Sequence, residues 1–69
     1  MFSGEKLRAH REKRGISRVG LAQMIGRAPL TVFRWETGRI KPNSHTVVVL
    51  AELFGCEKED LMEPEGVKK

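Results

Sequence analysis

A single cysteine, Cys56, among 69 residues excludes an internal disulfide and a cysteine-rich metal knuckle. His10 and His45 are the only imidazoles, so no structural zinc is expected. Long apolar runs are missing too. The longest, Val47-Val48-Val49-Leu50-Ala51, is far too short to cross a bilayer, and no membrane partner is expected. The stretch MFSGEKLRAH has no apolar signal core and no small-residue cleavage site, from which cytoplasmic residence is expected. No nucleophile–base pair, phosphate-cradling glycine loop or metal-ligand set can be picked out, so the chain is expected to be no enzyme, with no catalytic residue and no cofactor. Aromatics suited to stacking on bases reduce to Phe33, which gives RNA binding little support.

What is present describes one small soluble domain, near the lower size limit for folding unaided, with 39% hydrophobic and 32% charged residues. Its net charge of +4 is unevenly spread. Residues 1–41 hold ten Lys/Arg and three Asp/Glu, 10 − 3 = +7, and residues 42–69 hold three and six, 3 − 6 = −3. A polyanion partner fits the basic side, and a plainly solvated charged surface is the competing reading.

Apolar-periodic stretches alternate with glycine and proline breaks, which predicts an all-α architecture of five short helices. Ser3 caps the first, running to about Arg14, with Glu5 in its first turn, Lys13 and Arg14 in its last, and Gly15 as its stop. Ser17 caps a second over RVGLAQMI, which turns Leu21, Ala22 and Ile25 inward, ends at Gly26, and carries Gly20 at a cost of about 1 kcal/mol relative to Ala. Pro29 suits the first turn of a third helix, where its missing N–H is no loss, and that helix runs to about Thr37 before Gly38. Asn43 caps a fourth, whose Val47, Leu50, Ala51 and Phe54 form a buried stripe ended by Gly55. EKEDLM reads as a further turn or two with Leu61 inward. Residues 1–63 then make one domain and 64–69 a frayed tail.

The second helix, the break at Gly26 and the third helix form the unit that matters. Two helices crossing steeply over a turn of about three or four residues need a small side chain at the close approach. Ala22 supplies it. The turn needs a residue tolerant of positive φ, supplied by Gly26. The second helix needs an apolar inner anchor, supplied by Val32 with Trp35, and Trp35 is expected in the core. This is the helix-turn-helix pattern.

With these residues in place, about residues 4 to 62 resemble the phage repressor and Cro type of helix-turn-helix domain, the Xre-like group of bacterial regulators. GEKLRAHREKRGIS looks like the group's first helix and its lead into the second. LAQMIG matches its Leu-Ala-x-x-apolar-Gly core. TVFRWETGRIKPN is similar to its Thr-Ile-x-x-Trp-Glu-x-Gly-x-x-x-Pro run, and LAELFGCEKEDL resembles the fourth helix, the glycine break and the start of the fifth. The resemblance implies a compact five-helix phage-repressor-like domain that binds double-stranded DNA as a small transcriptional repressor. The third helix would enter the major groove by its N-terminal end. Ala28, Pro29, Leu30, Thr31, Phe33 and Arg34 would then face base edges: Arg34 forks onto guanine, Thr31 bonds a base or touches a methyl, and Ala28 and Leu30 offer apolar contact to methyls. Ser17, Arg18, Arg27, Arg39 and Lys41 would hold flanking phosphates. Arg11 and Glu36 match a pair that bridges the first helix to the third.

Some positions depart from the group's pattern. It commonly has Ser or Thr at the place of Ala28, polar residues at Pro29, Leu30 and Phe33, Gln at Arg18 and Glu at Gly20. The recognition helix therefore lacks a hydroxyl cap and has an apolar outer face. Direct readout then rests on few hydrogen bonds, and DNA shape carries more of the specificity. A competing expectation assigns Leu30 and Phe33 to a protein contact, as in an antitoxin that grips a toxin. Val48, Val49 and Leu53 widen the fourth helix's apolar face, either for a core closed by Met62 and Val67 or for a homodimer contact. Cys56 is expected to fill a small apolar gap. His10 and His45 are expected at the surface.

Overall fold

Capping side chains decide where the helices begin. The computed structural model describes residues 1–63, and the expected frayed tail, 64–69, with Val67, lies outside the described residues. Ser3 Oγ accepts from Lys6 N–H and opens α1 (Gly4–Lys13), and Ser17 Oγ accepts from Gly20 N–H and opens α2 (Arg18–Ile25). Pro29 is the first residue of α3 (Pro29–Glu36), and Asn43 Oδ1 accepts from Thr46 N–H ahead of α4 (Ser44–Phe54). Each of these starts lies where the sequence predicts it. Arg14 and Thr37 close α1 and α3 as cap residues, one position beyond the last helical one.

The expected fifth helix is corrected to a single 3₁₀ turn, Lys58–Leu61, so the described chain has four α-helices. The turn cannot continue because Met62 adopts an extended conformation (φ −119°, ψ 152°) to form an antiparallel bridge with Phe2. Ser3 N–H donates to Leu61 O at 2.8 Å, Glu63 N–H to Met1 O at 2.6 Å, and Lys6 Nζ to Met62 O at 2.8 Å. The two backbone bonds tie the first three residues to the end of the described chain, and the Lys6 side chain adds a third tie. Nothing in the periodicity announces this arm, since it rests on backbone groups.

The core gathers Leu7 of α1, Leu21 and Ala22 of α2, Val32 and Trp35 of α3, the expected stripe of α4, and Leu61. Fully burying each large aliphatic member contributes about 1.5–3 kcal/mol. Ile25, expected inside, is only half-buried at the core's edge, together with Phe2, Ile16, Cys56 and Met62. His10 is also half-buried, a correction to the surface placement. Its ring stacks on Phe54 with centroids 5.8 Å apart, whereas His45 is exposed. At Gly4 an added Cβ would come closer than 3.0 Å to the carbonyl oxygens of Trp35 and Glu36. The start of α1 therefore meets the end of α3 at a backbone distance that only glycine permits.

Candidate nucleic-acid interface

Gly26 makes the turn between α2 and α3. It sits in the left-handed region (φ 71°, ψ 36°), its N–H bonds to Ala22 O, and Arg27 N–H reaches the same oxygen at 2.9 Å. Ala22 is fully buried, so α3 can approach α2 closely, and Val32 and Trp35 anchor the inner side of α3. The helix pair is thus fixed from inside by the four residues the sequence singles out for it.

Its outer side is open. Ala28, Pro29, Leu30, Phe33 and Arg34 are exposed, with Leu30 at 52% and Phe33 at 42%, and Thr31 is half-buried. Ala28 is the N-cap of α3 and makes no side-chain capping bond, as the missing hydroxyl predicts. Ser17, Arg27, Arg39 and Lys41 are exposed on the flanks. Arg39 N–H and Ile40 N–H bond back to Arg34 O, which fixes the chain leaving α3. Arg27 leans inward, with Nη2 3.4 Å from Thr46 Oγ1 and its guanidinium 6.0 Å from the Trp35 ring. Among the described residues, the side chains of Arg34, Arg39 and Lys41 make no hydrogen bond or ion pair.

Glu36 organises the inner edge of this surface. Its carboxylate accepts from Arg11 Nε at 2.6 Å and Nη2 at 3.2 Å, while Arg11 Nη1 donates to Ile16 O at 2.7 Å. The bridge between α1 and α3 is present in bidentate form. Arg18 adds a second cation that sequence reasoning assigned to phosphate alone. Its Nε donates to Glu36 Oε1 at 3.1 Å, and its guanidinium lies 5.1 Å from the Phe33 ring centroid. One signal could have revealed this contact. From Lys13 to Ala51 the sequence has seven Lys/Arg and one carboxylate, Glu36, so any ion pair within that span must converge on it. Because the Glu36 side chain is only 1% exposed, this whole span presents cations without a solvent-facing carboxylate.

A helix-turn-helix domain model matches residues 4–64. The chain belongs to the helix-turn-helix family. It is similar to repressor protein C2 of Salmonella phage P22, with 29% identity over 59 residues, 86% of this chain and 27% of that protein. The chain thus spans 27% of the length of that curated relative. Its fold matches the crystal structure of the P22 c2 repressor protein in complex with synthetic operator 9T in the presence of Tl+, with a TM-score of 0.82 and 27% identity. That superposition covers 91% of this chain and 96% of the other. The helix-turn-helix match takes in every residue of the surface described above, which makes this chain a phage-repressor-like member of the family. Among the described residues, no helix is long and apolar enough to cross a membrane.

Proposed function

We propose that this chain binds double-stranded DNA sequence-specifically and serves as the operator-reading part of a transcriptional repressor. The observation that carries the proposal is the exposed N-terminal side of α3, set among cations with no exposed carboxylate between Lys13 and Ala51. The likeness to a repressor solved in complex with a synthetic operator supports it. Ala28, Pro29, Leu30, Thr31, Phe33 and Arg34 face the base edges, with Arg34 forking onto guanine O6 and N7. Ser17, Arg27, Arg39 and Lys41 hold the phosphates, and Arg18 joins them through the part of its side chain, 37% exposed, that Glu36 leaves outward. Two copies meet through the exposed Val48 and Leu53 of α4, and half-site centres should then lie about 34–36 Å apart, one duplex turn.

Selection of bound fragments from random duplexes tests the reading. A defined motif should emerge, and Arg34→Ala should weaken discrimination at one G·C pair by about 1–3 kcal/mol. Recovery of no motif, or binding indifferent to salt, would overturn it.

A further inference from the structure

Phe33 differs from the other outward residues of α3 in being held. The Arg18 guanidinium covers its ring at 5.1 Å from the centroid, and Nε of that same group is bonded to Glu36 Oε1 at 3.1 Å. Glu36 lies three residues after Phe33 and so shares its side of the helix. It is itself gripped by Arg11 from α1. The cation on the ring therefore cannot swing away without breaking a charge-assisted bond to a buried carboxylate. A further 42% of Phe33 stays open to solvent. An aromatic side chain already fixed in this way loses little rotamer freedom when a ligand covers it.

The occupant follows from the surroundings. The ring sits in a sequence span with seven cations and no exposed carboxylate, and the exposed Glu12 beside the Arg11 end of the cluster is already paired with Arg8 at 2.9 Å, which favours a polyanion. Among the groups that base pairs show in the major groove, the apolar one is the thymine C5-methyl. We infer that Phe33 is a specificity-determining residue that packs on the C5-methyl of a thymine, and that Arg18 is the residue that positions it. The inference rests on α3 entering the major groove, as proposed above. It gives Arg18 a role that a phosphate contact does not require: keeping the ring at one height and angle above the base edge.

Replacing thymine by uracil removes that methyl and nothing else. In the duplex selected by the full wild-type chain, uracil is placed at each thymine in turn. At one thymine of each half-site the penalty should depend on Phe33, with wild type binding the uracil duplex about fourfold more weakly, the equivalent of one buried methyl-sized group at about 0.8 kcal/mol. Phe33→Ala should bind the thymine and uracil duplexes equally at that position. Arg18→Lys keeps the charge but loses the planar face, so its uracil penalty should shrink towards none. Because Arg11 still holds Glu36 in that variant, its thermal melt should stay cooperative. If Phe33→Ala keeps the full penalty, the methyl contact is wrong. If Arg18→Lys and Arg18→Gln both keep it, the positioning role is wrong. If no duplex is selected, the DNA reading falls and this inference with it, an outcome distinct from a selected duplex with no Phe33-dependent thymine.

Discussion

The Glu36 carboxylate accepts from Arg11 on α1 and from Arg18 at the head of α2, with its own side chain 1% exposed and that of Arg11 7% exposed. Three helices thus share one buried charge. Removing one member of a buried pair leaves the other uncompensated, at about 3–5 kcal/mol, whereas replacing both by apolar residues is often neutral. Glu36→Ala should therefore lower unfolding stability by about 3 kcal/mol or more in urea titration, and Arg11→Met with Glu36→Leu should recover most of that loss. Cys56 behaves differently. Burial, with Asp60 nearby, pushes its thiol above the ordinary range. A raised pKa means less thiolate at neutral pH, so alkylation should be slower than for a free cysteine and should rise only at more alkaline pH. Stopped alkylation followed by mass measurement would check this. The Arg11–Glu36 pair was legible because it belongs to a repeated family pattern. The Arg18 contact was not, because a lone Arg at a helix start suits a phosphate equally well and only the fold brings it to Glu36.

At the level of helices, the capping residues and the core stripe could be read from sequence because both are local. Ser3, Ser17 and Asn43 each bond an N–H three residues on, and Val47, Leu50, Ala51 and Phe54 fall on one side of α4. The pairing of Phe2 with Met62 and the tight meeting of Gly4 with α3 could not, because they join backbone groups distant in sequence. The open outer side of α3 was expected, and its exposure is what leaves it available to a ligand. Two substitutions separate local preference from context here. Ala28 has cap geometry (φ −76°, ψ 146°) but no capping side chain, so Ala28→Ser should stabilise by about 0.5–2 kcal/mol. For a domain of this size, 1 kcal/mol corresponds to about 4–8 °C in Tm. Gly20→Ala should gain less than the roughly 1 kcal/mol that helix propensity alone offers. Its new Cβ would lie 3.2 Å from Ser17 Oγ, the atom that caps α2. A pair of thermal melts should rank Ala28→Ser above Gly20→Ala.

Along the whole sequence, charge is divided between two segments, +7 in residues 1–41 and −3 in residues 42–69. A polyanion bound on the basic side releases counterions, and the logarithm of affinity falls with the logarithm of salt by about 0.9 for each phosphate neutralised. The cations on that side are not equivalent. Arg39 and Lys41 have side chains without hydrogen bonds or ion pairs among the described residues, whereas Arg18 is already neutralised in part by Glu36. Arg39→Ala and Lys41→Ala should each reduce the steepness of the salt slope by nearly one full phosphate, about 0.9, for each copy bound. Arg18→Gln should change it by clearly less, because the charge it removes was partly cancelled before binding. Fluorescence titrations of a selected duplex at a series of salt concentrations would measure the three slopes. Equal losses at all three positions would mean that Glu36 releases Arg18 to the phosphate when the complex forms, so that recognition would rearrange the ion cluster behind α3 and would not simply use the surface as it stands.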